Sequence, residues 1–281
     1  MSVSDVSPAS PKILILSILK LVSPVEDPTM RFRQLSRIVC VVLSLFGTAF
    51  GTTTATRDAQ AITVISQSLA AMGIIATPTL ETVAQGNFTD RTGAVFSLSI
   101  ETAGTDRLRV NLGTNHSFVT NGGSGFTIDQ QGVRHKLPYW TTKYRRPEHL
   151  PSLSALSDYL DLNLQLQYVG LEMINGSSAH HIRLSRVPTD TTPASVEDGI
   201  SEFHVWIDAT SFLVLKTRSF YFSPETPQNR TPVETYFTNY QQQGSAMIPF
   251  HTTTYISGQQ DSDIVITSIN LNASIPDSDF Q

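Results

Sequence analysis

The chain has 281 residues, with 19 lysines and arginines against 24 aspartates and glutamates, a formal net charge of −5 and a single cysteine. The acidic balance, with no basic stripe, argues against a nucleic-acid partner, and one cysteine excludes a disulfide framework. Abundant threonine and serine with sparse charge suit strands.

The first readable element is a secretory signal over residues 30–51, MRFRQLSRIVCVVLSLFGTAFG. Arg31, Arg33 and Arg37 form its basic n-region, and Ile38 to Phe50 is an apolar run of about thirteen residues, within the usual range. Ala49 and Gly51 place small residues at the −3 and −1 positions of a cleavage site. The run falls short of the roughly 20 apolar residues that a spanning helix needs. Residues 1–29 hold a second apolar run, Ile13 to Val22, interrupted by Lys20. Either Met30 is the true start, with a gene-start artefact before it, or the n-region is long. Cys40 is preceded by Arg37-Ile38-Val39 rather than by a small residue, so it is not a lipidation site. The expected mature chain, Thr52 to Gln281, has no cysteine and a net charge of −7, from 14 basic and 21 acidic residues. Its fold must rest on its core, and a bacterial periplasm suits an exported chain without disulfides.

The mature chain opens on a helix. Asp58 is the N-cap, Ile62, Ile65, Leu69 and Met72 recur at helical spacing opposite Thr63, Ser66 and Gln67, and Gly73 ends it. After Pro78 the period becomes two, over Ala94 to Ile100 and Arg107 to Leu112. Phe118 to Thr120 leads into a turn at Asn121 to Gly125 and out through Phe126 to Ile128. A second helical zone spans Leu150 to Tyr159, with Leu153, Leu156 and Leu160 on one side. From Asp161 onward the chain is strands in series. Leu162 to Tyr168 alternates, and Met173 leads into Asn175-Gly176, the strongest short hairpin signal. Ala179 to Val187 returns, Phe203 to Ile207 runs to a turn at Asp208 to Ser211, and Phe212 to Phe222 runs back. Glu234 to Tyr240, Ile248 to Ile256 and Asp263 to Leu271 complete an antiparallel meander. The loops Thr189 to Gly199 and Ser223 to Thr231 are too short to separate domains, so residues 52–281 form one domain.

Such a sheet has one apolar face that must be covered, and two short helices cannot tile it. The expected fold is mainly β with some α: a curved, unclosed, barrel-like antiparallel sheet with short helices across its concave side. That arrangement leaves room for an apolar hollow.

The order of motifs resembles the LolA-type family of periplasmic lipoprotein carriers. The matching features are Met72-Gly73 ending the helix, Gln85-Gly86-Asn87-Phe88 entering the first strand and Asp106-Arg107-Leu108-Arg109 on a following one. Asn121-Gly122 with Gly125-Phe126, then Val205-Trp206-Ile207-Asp208 before a hairpin, continue the series. Met247-Ile248-Pro249-Phe250 and Ser257-Gly258 close it. The resemblance implies an unclosed β-barrel around helices that act as a lid, a hydrophobic interior for acyl chains, no catalytic residues and no cofactor. It also implies lipid or lipoprotein acyl chains as ligands, membrane donor and acceptor proteins as partners, and a monomer. The family's Arg-Pro pair near the second strand has no counterpart in Glu101 to Thr105.

Other chemistries find less support. His180 and His181 are adjacent on a strand and point to opposite faces, and no metal-ligand spacing involves His204 or His251. Gly122-Gly123-Ser124-Gly125 lacks the nucleophile-elbow spacing of a hydrolase, and Asp261 and Asp263 flank a serine beside a turn. Lys143-Tyr144-Arg145-Arg146 reads as a solvated turn. Asn-x-Ser/Thr sequons at Asn87, Asn115, Asn175, Asn229 and Asn272 are expected in so Ser- and Thr-rich a chain. A secreted hydrolase, or an exported interaction module with a filled core, are the alternatives to a carrier.

Lys216 and Arg218 mark a wet face, so Leu213, Leu215 and Tyr221 should point inward. Ile248, Phe250 and Ile256, then Val265, Ile269 and Leu271, share the apolar faces of the last two strands. The expected cavity wall is Ile65, Leu69, Val205, Leu213, Leu215, Phe250 and Ile269. Export should leave Thr52 as the N-terminus. Intact-mass measurement on a periplasmic extract checks this, and retention of residues 1–51 or an acyl mass on Cys40 would refute it.

Overall fold

A computed structural model describes residues 55–73, 80–114, 116–138, 142, 149–152, 155–187, 201–222 and 230–281. The signal segment, the loop Thr189 to Gly199, Leu153 and the basic turn Lys143 to Arg146 lie outside these residues.

The helix α1 spans Ala59–Met72 and begins and ends where its caps dictate. The Asp58 side chain accepts from the Gln60 N–H at 2.7 Å and the Ala61 N–H at 3.4 Å, satisfying donors that a helix start leaves unpaired. Gly73 takes a left-handed φ of 68° and returns its N–H to Leu69 and Ala70. The buried stripe is Ala61, Val64, Ile65, Ser68 and Met72. It is turned slightly from the expected one, with Ile62 and Leu69 at its margin.

Thirteen strands follow: β1 (Glu81–Asp90), β2 (Val95–Ala103), β3 (Arg107–Leu112), β4 (His116–Asn121), β5 (Ser124–Ile128), β6 (Arg134–Lys136), β7 (Leu164–Ile174), β8 (Ser177–Arg186), β9 (Phe203–Asp208), β10 (Val214–Phe222), β11 (Arg230–Gln243), β12 (Ala246–Ile256) and β13 (Gln259–Asn270). All pair antiparallel in one unclosed sheet, ordered β6-β5-β4-β3-β2-β1-β13-β12-β11-β10-β9-β8-β7. Two meanders, β1 to β6 and β7 to β13, are therefore zipped together at the centre by β1 and β13. Asn175-Gly176 makes the expected hairpin, with φ of 49° and 88°, the signs that a type I′ turn requires. The edge strand β6 is three charged or polar residues long, which blunts edge-to-edge pairing.

Residues 137–163 link one sheet edge to the other in sequence, and Leu150 and Leu156 of this segment lie on the inner face. Leu150 and Leu156, 1% and 0% exposed, join different apolar clusters there. Among the described residues the expected second helix is one 3-10 turn, Ala155–Asp158. Arg57 fixes it to the start of α1, donating to the carbonyls of Tyr159, Leu160 and Asp161. Arg186 ion-pairs with Asp158 at 2.6 Å and also with Asp161.

The inner face divides into two cores. One lies under α1 and joins Val64, Ile65, Leu164, Leu166, Ile182, Leu184, Val205, Ile207, Val214 and Phe237. The other joins Leu98, Ile100, Leu108, Ile248, Phe250 and Ile266. A third, on the outer face, seats Ile275 and Phe280 of the C-terminal segment over Ala103 and Val119. Arg107 bonds Asp277 at 2.5 Å and lies over the Phe280 ring. The strand β6 and this tail gave no sequence signal.

Bulges correct two expected orientations. One on β13, opposite Gln85/Gly86, shifts the phase. Ile264, Ile266 and Ile269 thus share the inner face, while Val265 is on the outer face and 41% exposed. Another falls between Val214 and Lys216. It seats Val214 fully in the core and leaves Leu215 outside all three clusters. Bulges also raise local twist, which helps a broad sheet to curl.

Gly86 exists for close approach: a Cβ there would lie 2.2 Å from the Val265 carbonyl oxygen. Gly86→Ala should therefore destabilise the domain by about 1–3 kcal/mol through overpacking against backbone. Urea denaturation measures this, and an unchanged midpoint would contradict the close packing of β1 on β13.

Candidate ligand cavity

The inner face of the sheet holds a cavity of about 370 Å³ between strands that are far apart in the sheet order. One wall is Phe88 of β1, Leu98 and Ile100 of β2, and Leu108, Val110 and Leu112 of β3. The facing wall comes from β10 to β13, including Tyr221, Val233, Thr235, Thr252, Ile256 and Ile264, with His149 from the crossover segment. Strands β3 and β10 stand six places apart in the sheet, so their meeting at one cavity measures how far the sheet curls.

Register explains why this wall is apolar. Cross-strand partners share a face, and the pairs Ala84–Ile100, Gly86–Leu98, Leu98–Leu112, Ile100–Val110 and Thr102–Leu108 keep one unbroken inner row. On β11 and β12 the inner positions are Thr235–Thr254 and Val233–Ile256. Those threonine hydroxyls lie 3.3 Å apart and engage each other.

None of the seven wall residues expected from periodicity is among the described residues that line this cavity. Ile65 and Val205 are fully buried under α1, with Leu69 and Leu213 packed at the margin of that core. Phe250 is in the second core and Ile269 packs against it. Leu215 sits at its bulge. The residues that line the cavity include Tyr221 and Ile256, both read as inward, together with β1 to β3, which the sequence placed in strands but not opposite the meander. No local signal pairs β3 with β10; only the curl does.

Two polar features stand out at the cavity. His149 is 7% exposed and its Nε2 is buried without a hydrogen-bond partner; burial alone pushes its imidazole down to about 3, so it is neutral at pH 7. Among the described lining residues Asp261 is the only aspartate, glutamate, lysine or arginine. Ser262, between Asp261 and Asp263, faces inward with the cavity lining, whereas Asp263 is on the outer face. There Asp263 meets His251 Nε2 at 2.7 Å and accepts from Thr253 at 2.9 Å. A Ser-His-Asp constellation is thus not assembled from this segment.

The outer face of β7 to β11 carries a polar and aromatic array. His181 Nδ1 contacts Glu172 Oε1 at 2.7 Å, His181 Nε2 meets His204 Nδ1 at 2.8 Å, and His204 Nε2 contacts Glu202 Oε1 at 2.9 Å. Trp206 stacks on His181 at 4.2 Å and donates to Glu172 Oε2 at 2.7 Å. Lys216, expected on a wet face, is on the outer face but only 6% exposed. Its ammonium lies over Trp206 and Tyr236 and pairs with Glu234 at 2.8 Å. His181 and His180 point to opposite faces as expected, and His180 bonds the Tyr168 hydroxyl at 2.9 Å. Among the described residues no group of three His, Cys, Asp or Glu side chains is arranged to hold a metal.

No family model and no curated protein matches the sequence. Solved structures do match the fold. A LolA superfamily protein from Nitrosomonas europaea superposes with a TM-score of 0.50 at 11% identity, over 79% of this chain and 97% of that one. An outer-membrane lipoprotein-sorting protein domain from Vibrio parahaemolyticus gives 0.53 at 11% identity, over 79% and 96%. The architecture is the LolA-like one.

The outer array makes stability pH-dependent. Burial disfavours ionised Glu202, yet hydrogen bonds from His204, Arg183 and Arg230 outweigh it and hold the carboxyl down to about 2, from 4.5. Burial also lowers His204 below its ordinary 6.5, against the pull of Glu202. Both folded groups bind protons more weakly than the unfolded chain does, so acid favours unfolding. The melting temperature should fall as pH drops below about 6.5, and fall further from 4.5 towards 2. In Glu202→Gln the lower part should flatten; an unchanged acid profile in that variant would refute its role.

Proposed function

We propose that the protein is an exported, non-catalytic carrier that holds a lipid acyl chain, free or as part of a lipoprotein, in the cavity between β1–β3 and β10–β13. The observation that carries this reading is the cavity itself. Its volume of about 370 Å³ lies within the 300–1,000 Å³ of small-molecule sites, and one complete wall is aliphatic or aromatic. A filled core would leave no such space, because interiors pack to crystal density. The LolA-like architecture and the signal-like segment over residues 30–51 support the same reading, with a periplasmic location and membrane proteins as donor and acceptor.

Native mass spectrometry of protein purified without detergent should find a retained lipid. Emptied protein should bind the apolar fluorophore diphenylhexatriene saturably. Val110→Trp, which adds a large side chain at the cavity wall, should weaken that binding at least about tenfold with a melting temperature within a few degrees of the parent. Absence of both retained lipid and saturable binding would overturn the carrier reading. Unaltered uptake by a folded Val110→Trp would remove this cavity as the site.

A further inference from the structure

We propose that the free half of the β7 edge is a self-association surface, along which a second copy of this chain adds its own β7 antiparallel. The protein is then a weak, reversible two-fold dimer rather than the monomer that the family resemblance implies.

The two edges of the sheet are built differently. At one end β6 is Arg134-His135-Lys136, short and polar enough to discourage a further strand. At the other end β7 runs for 11 residues with one charged side chain, Glu172. That carboxylate is no guard, because His181 and Trp206 hold it on the outer face of its own sheet. The apolar side chains around it are open to water: Val169 is 47% exposed, Leu171 60% and Met173 67%. Soluble proteins avoid a long apolar edge unless something pairs with it.

Backbone parity identifies the free groups. Leu166 turns its N–H and carbonyl away from β8, bonding Thr56 and Asp58 at 2.9 Å, and the Leu164 N–H goes to Asp161 at 3.0 Å. Even-numbered residues therefore point outward in the first half of the strand. The bulge between Tyr168 and Gly170 adds one residue and reverses this parity. Leu171 and Met173 are the outward residues of the second half. The hairpin sets the same phase from its own end, since its closing pair, Ile174 and Ser177, bonds inward. Among the described residues nothing bonds the outward backbone groups of Leu171 or Met173. The segment at Arg57 does not extend to them: it runs parallel to β7 at Leu166 and enters α1 at Ala59.

Only extended backbone matches such a row of donors and acceptors, so its partner is a strand. A second β7 fits by symmetry. With a two-fold axis at Glu172, Leu171 lies opposite Met173 of the second copy and Met173 opposite its Leu171. Outward residues then meet outward residues, and apolar side chains meet apolar ones on one face. The two Glu172 side chains lie on the other face, each already engaged by His181 and Trp206 of its own copy. The contact is small beside the roughly 1,200 Å² of a stable interface, so the expected dissociation constant is about 10–100 μM.

Sedimentation velocity of protein from a periplasmic extract should show monomer at about 1 μM and mostly dimer at about 500 μM. Leu171→Lys combined with Met173→Lys changes two exposed side chains, so the fold should stand while dissociation becomes at least about tenfold easier. Leu162→Lys, at an apolar residue 78% exposed but outside β7, should leave the dimer unchanged. Hydrogen exchange on the parent needs no variant: the Leu171 and Met173 amides should exchange several-fold more slowly at the higher concentration. A monomer at about 500 μM, a dimer indifferent to the double substitution or lost in Leu162→Lys, or a dimer without that slowing would each overturn the proposal. If the purified protein stays monomeric while a photo-crosslinker at position 171 captures a different protein, the edge belongs to that partner and the second copy is excluded.

Discussion

Everything in this molecule follows from one antiparallel ladder of thirteen strands with an apolar row along one face. A row that long cannot be left in water, and among the described residues the single helix α1 covers only the part of it near β7 to β9 and β12. The remaining apolar surface is removed from water by curling the sheet upon itself. Four places of irregular register, at Gln85/Gly86, Tyr168/Gly170, Val214/Lys216 and Thr254/Tyr255, supply the local bends. The β1–β13 pairing is the seam that makes the curl possible, because it joins two meanders that would otherwise be separate sheets with exposed edges.

The two halves of the inner face meet different fates. Under α1, side chains from five strands and one helix fill the space completely, and Ile65, Leu166, Ile182, Val205 and Ile207 are all inaccessible. Opposite β1 to β3 there is no helix among the described residues, only the crossover segment with His149 and Leu150. The cavity lies on this part of the inner face, with His149 of that segment in its lining. Filled core and hollow are thus two outcomes of one constraint, decided by what lies above the sheet.

The outer face is handled by different physics. Over β1 to β4 the C-terminal segment provides apolar cover, pinned by Arg107 and Arg109 to Asp277 and the Asp279 carbonyl. Over β7 to β11 the cover is the side chains themselves. Trp206, His181, Lys216 and Tyr236 lie flat against one another, and every charge in that array has an opposite charge or a ring beside it. This is why a lysine can be almost wholly buried on this face: its stem and head rest on aromatic surface and a carboxylate accepts from its ammonium.

The sequence alone determined the elements whose cause is local. Asp58 and Gly73 bound the helix because cap chemistry is written in single residues, and Asn175-Gly176 fixed a hairpin because only such residues accept its backbone signs. Alternation marked the strands of the meander, and their series gave the unclosed antiparallel class. It failed where a single extra residue reverses the phase, as at Leu215 and Val265, because a bulge leaves no mark in a pattern of apolar and polar letters. It missed β6, too short to show a period, and the C-terminal cover, which has none. The cavity was the work of the tertiary structure. Of the residues expected to wall it, Ile65, Leu69, Val205, Leu213, Phe250 and Ile269 belong to or pack against the inner clusters and Leu215 does not, and inward positions become core or cavity wall according to what stands opposite them. Only the curl, which brings β3 to face β10 across five intervening strands, decides that, and it is a property of the whole sheet rather than of any segment within it.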